Sequence, residues 1–253
     1  MFFDSHAHYE DRRFDEDRFS LLDSFKNNGI DYVVNIGTNL ETSKKSIELA
    51  KKYDFVYATA AFYPDEVLNL TEDDMQELEN LCQNEKVVAI GEIGLDYHYD
   101  DVPKDKQIYW FERQMMLAKK LDLPVAIHMR DSTKDTLDVL KNNKVKSGVM
   151  HCFSGSIETA KIVLDLGYYI SFSGTVTFKN AKTLTEVAKI VPDDRLLIEK
   201  DCPYLSPEPN RGKRNSSLNL IYTATVLANL RNSSVENIAK ITKNNAKSLY
   251  NIK

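Results

Sequence analysis

Four of the five histidines in this chain, together with Glu92 and Asp201, sit immediately after short apolar runs. Phe2-Phe3 precede Asp4-Ser5-His6-Ala7-His8, Val87–Ile90 precede Gly91-Glu92, and Val125–Ile127 precede His128. Gly148–Met150 precede His151, and Leu196–Ile198 precede Glu199-Lys200-Asp201. Imidazoles and carboxylates are the ligands that divalent metals take from proteins. Their recurrence at the ends of strand-like segments predicts a metal site on one face of a strand-rich barrel.

The spacing assigns roles. His6 and His8 are two apart on an extended segment, so both side chains point to one side and can clasp one ion. Two unrelated surface or core histidines would show the same spacing, and the other strand ends are what favour a metal. Asp4 and Ser5 are expected to hold an imidazole in its tautomer. Glu92 lies between Gly91 and Gly94, which are expected to admit close approach of backbone and metal. Its carboxylate can bridge two ions, which an imidazole cannot; the plain alternative is a glutamate paired with a lysine. His128 and His151 end consecutive strands and are expected side by side on the rim. Asp201 ends the last strand, beside the first one in a closed barrel, where it can serve as ligand and general base; otherwise it caps a turn before Cys202-Pro203.

These residues need elements to hold them. Strands are expected at 1–4, 32–36, 55–60, 87–91, 125–128, 148–151, 168–171 and 196–199, apolar throughout as when both faces are buried. Helices are expected between them at 16–28, 38–53, 71–82, 104–121, 132–142, 156–166 and 181–190. Gly29 is expected to end the first, and Thr71 and Ser132 to cap others. Eight βα units predict one domain, 1–253, of α/β class: a TIM (β/α)8 barrel. The last helical stretches, 217–230 and 235–250, are expected to cover its outside. A doubly wound open sheet would need a Gly-rich phosphate turn, and none is present.

Composition sets bounds. A chain of 253 residues with 42% apolar and 28% charged residues can bury a full core. Three cysteines without a CxxC pair argue for a reducing cytoplasm rather than a disulfide scaffold. No signal peptide or membrane-length apolar run is visible, so no membrane partner is expected. The net charge of −5 speaks against general coating of nucleic acid but permits a local phosphate site. Basic residues expected on the loops above the site are Arg130, Lys179, Lys200, Arg211, Lys213 and Arg214. Arg130 is the strongest, two residues after His128, with Asp131 to hold its guanidinium. Tyr97-His98-Tyr99 and Phe153 are expected on the same loops, where a base could stack. Tyr109, Trp110 and Phe111 read as core, and Cys152 and Cys202 as small buried apolar residues turned away from the site.

In combination and order, these motifs resemble the TatD family of metal-dependent hydrolases: Asp4-Ser5-His6-Ala7-His8, Gly91–Tyr97, Pro124–Asp131, His151–Gly155 and Glu199–Leu205. The resemblance spans the chain. It implies a TIM barrel with one to three divalent ions that removes nucleotides exonucleolytically from DNA, and it makes His6, His8, Glu92, His128, His151 and Asp201 the metal ligands. Three places depart from the pattern. Ala61-Phe62-Tyr63-Pro64 stands where the family usually has Gly-x-His-Pro, which puts Tyr63 near the expected phosphate. Lys200 often is Thr, and Asn215-Ser216-Ser217 stands where Asn-Glu-Pro is usual.

The expected reaction is phosphodiester hydrolysis by a monomer with two ions, or a third at the periphery, of Mg, Mn or Zn. His6 and His8 would hold one ion, His128 and His151 the other, with Glu92 between them. Asp201 would take the proton of the attacking water, and Arg130, Lys179, Arg211, Tyr63 and Tyr97 would contact DNA. One alternative is hydrolysis of a carboxylic ester on the same site, as by a D-aminoacyl-tRNA deacylase. Another is a non-catalytic metal or nucleic-acid binding protein, against which the open set of ligands plus a base argues.

Overall fold

A computed structural model describes residues 1–253. Eight apolar segments become eight parallel strands, β1 (Phe2–Ala7), β2 (Ile30–Asn35), β3 (Val56–Ala60), β4 (Val87–Asp96), β5 (Val125–Arg130), β6 (Gly148–Met150), β7 (Tyr169–Phe172) and β8 (Leu196–Ile198). They pair strictly in chain order within one sheet. Seven helices separate them: α1 (Arg18–Ser24), α2 (Leu40–Lys52), α3 (Glu72–Cys82), α4 (Lys104–Leu121), α5 (Thr133–Asn142), α6 (Ile157–Asp165) and α7 (Lys182–Ile190). Two more, α8 (Leu220–Leu230) and α9 (Val235–Leu249), follow β8. This is the expected single-domain (β/α)8 barrel. β4 runs five residues further than expected and carries Glu92 and Asp96 within the strand, all ten residues being buried.

Local chemistry starts and stops the helices. Asn39 with Thr42 and Thr71 with Asp74 form reciprocal capping boxes at α2 and α3. Gly29, at φ 78°, ends the segment after α1 in the left-handed region that glycine adopts freely. Ser132 precedes α5 but does not cap it; its hydroxyl donates to the Leu95 carbonyl, tying the β5 loop to β4.

The alternation of each strand divides the core. One large cluster, including Val33, Ile90, Ile127, Ile170 and Leu196, packs outward against the helices. The other, including Phe3, Val34, Ala89, Ala126, Val149 and Leu197, faces the inside of the barrel. Its helical members come only from the end of the chain: Ala246 and Leu249 of α9, followed by Tyr250 and Ile252. The last helix therefore does not merely cover the outside, as expected, because its end closes the inside. Tyr250 donates its hydroxyl to the Ser5 carbonyl at 3.0 Å.

β1 and β8 meet without a regular ladder. Two backbone bonds join them just beyond β8: Asp201 N–H to His6 O and His8 N–H to Cys202 O, both 2.9 Å. Asp4 reinforces the joint. Its Oδ1 accepts from the His6 and Lys200 amides at 3.3 and 3.0 Å, and its Oδ2 accepts from the Ser217 hydroxyl at 2.6 Å. Asp4 thus holds backbone, not an imidazole, and Ser5 donates to the Ile198 carbonyl, so neither fixes a histidine tautomer as expected.

Candidate metal centre

The carboxyl ends of the strands bring His6, His8, Glu92, His128, His151 and Asp201 into one pit. Glu92 lies at its centre. Oε2 faces His6 Nε2 at 3.2 Å and His8 Nε2 at 3.9 Å. Oε1 faces His128 Nδ1 at 2.9 Å and His151 Nε2 at 2.7 Å. Asp201 Oδ1 closes the first pair from β8, 3.4 Å from His8 Nε2 and 3.8 Å from His6 Nε2. The ligand-type atoms of His6, His8 and Glu92 lie within 4.8 Å of one another, as do those of Glu92, His128 and His151. Each trio is compact enough to hold one ion.

Carboxylates behind the rings aim the imidazoles. His151 Nδ1 lies 3.2 Å from Glu199 Oε1, His128 Nε2 lies 2.9 Å from Asp96 Oδ2, and His8 Nδ1 lies 3.4 Å from Glu10 Oε1. A ring that donates from its outer nitrogen turns a lone pair inward from the other. The inner nitrogens of His128 and His151 are 3.2 Å apart, as are those of His6 and His8. Lone pairs meeting at that range repel unless a proton or a cation lies among them, so the donor set fits divalent metal.

The electrostatics agree. Burial disfavours the Glu92 carboxylate, but the imidazoles of His151, His6 and His128 outweigh it and hold its pKa well below the usual range. Burial likewise opposes charge on His8, yet Asp201 and Glu10 raise its pKa well above 6.5. Glu92 and Glu199 do the same for His151 against its burial. His6 goes the other way: burial and the neighbouring His151 lower it, and its buried Nδ1 has no partner. Most of the pit attracts positive charge.

Backbone conformation serves the same end. Asp201 and Cys152 adopt φ 51° and 40°, in the left-handed region that side chains other than Gly, Asn and Asp seldom enter. For Cys152 this breaks the strand alternation and turns the thiol to the cavity, 3.1 Å from the Ser173 hydroxyl, where a core position was expected. Cys202 is fully buried as expected. The flanking glycines allow strand packing rather than metal approach: a Cβ at Gly91 would meet Ala126 Cβ at 2.6 Å, and one at Gly94 (φ 143°) would collide with the His128 carbonyl.

A cavity of about 1200 Å³ opens over the pit. Tyr63 and Arg130, both expected to contact substrate, line it. The Tyr63 hydroxyl donates to Asp96 Oδ2 at 3.0 Å and lies 3.0 Å from His128 Nε2. Arg130 faces the Tyr99 ring at 5.4 Å and Asp96 at 4.0 Å; Asp131 does not hold it, being paired with half-exposed His98 at 3.1 Å.

Other expected contacts lie elsewhere. Tyr97 donates to Asp135 at 2.9 Å and packs on the core, leaving Tyr99 to line the cavity. Phe153 is buried core. Lys179 is exposed and does not reach the lining, and Arg211 stacks on Phe178 at 3.7 Å without lining the cavity itself. Lys200 points away from the cavity into the core, its Nζ donating to Thr223 Oγ1 at 2.6 Å. Lys213 is exposed away from the lining, and Arg214 pairs with Asp17. Trp110 and Phe111 are core, but Tyr109 is exposed.

Glu10, Asp96 and Glu199 were given no role from the sequence. A spacing signal existed. Glu10 lies two residues after His8, Glu199 two before Asp201, and Asp96 four after Glu92, the same-face periods of an extended chain.

A parallel barrel with buried imidazoles and carboxylates converging at its carboxyl-terminal mouth defines a metal-dependent hydrolase architecture. The model of the TatD related DNase family matches residues 3–251, and the chain belongs to the TatD family of metal-dependent hydrolases. It is 44% identical, over the full length of both chains, to the uncharacterized metal-dependent hydrolase YabD of Bacillus subtilis (strain 168). It is 38% identical to YcfH of Escherichia coli (strain K12), also an uncharacterized metal-dependent hydrolase, over 98% of this chain and 95% of that one. The crystal structure of YJJV, a TatD homolog from Escherichia coli K12, superposes with a TM-score of 0.94 at 30% identity, covering 100% and 98% of the two chains. No helix is long and apolar enough to cross a membrane.

Proposed function

We propose that this chain hydrolyses phosphodiester bonds of DNA as a monomeric exodeoxyribonuclease, using two divalent cations held by His6, His8, Glu92, His128, His151 and Asp201. The observation that carries the reading is the Glu92 carboxylate, one oxygen toward His6 and His8, the other toward His128 and His151. A shared carboxylate between two nitrogen pairs suits a pair of ions rather than one. Mg, Mn or Zn bound there supplies Lewis acidity toward a phosphoryl oxygen and toward the attacking water.

The chain's own groups do the rest. Burial would favour a neutral Asp201, but its hydrogen bond to His8 and the nearby imidazoles keep its pKa below the ordinary value, so at neutral pH it is ionised. An ionised carboxylate at the cavity floor can take the proton of the attacking water. Arg130, 43% exposed within the cavity wall, supplies fixed positive charge for a phosphate. The Tyr63 hydroxyl holds Asp96 and the outer face of His128, keeping that ring aimed inward. All six proposed ligands come from one chain, so the centre is complete without a second copy. The three unpaired cysteines support a reducing cytoplasm.

The test is digestion of end-labelled DNA and RNA oligonucleotides across a metal series. Asp201→Asn should lower the rate by about 10²- to 10⁴-fold, as loss of a general base does, while the melting temperature shows the barrel folded. Hydrolysis that survives both this substitution and exhaustive chelation would refute the proposal. Turnover of an aminoacyl-tRNA in place of DNA would assign the site to carboxylic esters.

A further inference from the structure

The cavity wall is chemically divided. After β1 and β3 it carries the acids Glu10, Asp11, Asp65 and Glu66 with the cation Arg12, and α2 adds Lys45. On the β7–β8 side, apart from Asp201, no lining residue is charged; Phe178, Ala181, Leu184, Tyr204 and Leu205 line it there beside the neutral polar side chains of Thr175, Asn180 and Thr183. Two large members are left in water, with Tyr204 42% and Leu205 38% exposed.

This wall is built, not incidental. Leu205 holds φ 50°, a conformation costly for a leucine, which turns its side chain to the cavity rather than the core. The β7 loop grips it: a Cβ at Gly174 would run into the Leu205 carbonyl, so only glycine lets the two loops close. Glu208 N–H donates to Thr177 Oγ1 at 2.9 Å, joining the same loops. Phe178 is braced by the Arg211 guanidinium against its ring, and Tyr204 by Arg13 at 4.4 Å with its hydroxyl on Asp11. These apolar side chains, held by their neighbours, line the same cavity as Asp201 and the pit.

Resting on the phosphodiesterase reading, we infer that this wall is a nucleobase subsite: the base next to the scissile phosphate lies on Phe178, Tyr204 and Leu205. The phosphate enters the pit while the base, uncharged and flat, takes the uncharged wall. At about 1200 Å³ the cavity exceeds the roughly 300–1000 Å³ of a small-molecule site and has room for more than one nucleotide unit. Stacking on aromatic faces tolerates any base, so the subsite selects for the presence of a base and not its identity.

The experiment compares an ordinary end-labelled DNA oligonucleotide with one of equal length whose three residues at each end lack bases. The wild-type enzyme should favour the base-bearing strand in kcat/KM by about 5- to 150-fold per stacked base. Phe178→Ala, and separately Leu205→Asn, should bring that ratio at least threefold closer to one. Asparagine enters the left-handed region readily, so Leu205→Asn should keep the wild-type melting temperature and separate binding from folding. A wild-type ratio of one, or variants that slow both strands equally, overturns the subsite while leaving phosphodiester hydrolysis standing. A wild-type enzyme that cuts neither strand with any metal overturns the hydrolysis reading and the subsite with it.

Discussion

Replacing Glu199 distinguishes a residue that aims a ligand from one that is a ligand. Its Oε1 accepts from the His151 Nδ1 side at 3.2 Å and from the Cys152 amide at 2.7 Å; its buried Oε2 has no partner. Glutamine keeps an acceptor at Oε1 and places its amide nitrogen where Oε2 stood, so the ring stays aimed though less basic. Alanine removes the acceptor, frees the ring to turn, and leaves a buried amide unpaired at about 1–3 kcal/mol. Loss of such a backing group weakens metal binding by about 10- to 100-fold, or roughly 1.4–2.8 kcal/mol. Calorimetric titration of Zn or Mn into chelator-stripped protein should therefore show Glu199→Gln within about tenfold of wild type and Glu199→Ala 10- to 100-fold weaker. Equal and large losses in both would refute the reasoning. They would make Glu199 a direct ligand, for which its position within 4.8 Å of the His6 and His151 nitrogens leaves room.

Gly94→Ala should cost about 3 kcal/mol or more in urea denaturation, because the new Cβ strikes the His128 carbonyl at a φ of 143°; a stable, active variant would show that β4 and β5 part easily. Thr223→Val removes the hydroxyl that accepts from buried Lys200 and should cost about 1.5–3 kcal/mol by the same measurement. An unchanged midpoint would mean that the ammonium finds another partner. Chelation should lower the melting temperature, since ions at 100 times their Kd stabilise the fold by about 2.7 kcal/mol. Identical melting curves with and without chelator would show that the cluster takes no ion.

The barrel was legible because its strands are buried on both faces, so each reads as a continuous apolar run that ends where a histidine or carboxylate begins. His6, His8, Glu92, His128, His151 and Asp201 were legible for the same reason. Lys200 was misplaced although strand alternation forbids it from pointing with Glu199 and Asp201; it faces α8 instead. Cys152 was misplaced because alternation fails where φ becomes positive, and no run of residue types announces that. The cavity wall was least legible. Phe178 and Leu205 line the same cavity from loops of different strands, and choosing Tyr99 over Tyr97 requires the path of the loop after β4.

The joint between β1 and β8 has a consequence for motion. Where other neighbouring strands share a ladder, these two share a pair of amide bonds, the reach of Asp4 and the Ser5 hydroxyl on the Ile198 carbonyl. Local opening is cheapest where pairing is thinnest. A fluctuation there separates His6 and His8 from Asp201 while the other seven strand pairings hold. Opening at that joint would take the two histidines away from the aspartate without unfolding the rest, and an ion held by all three would fasten the barrel at its seam.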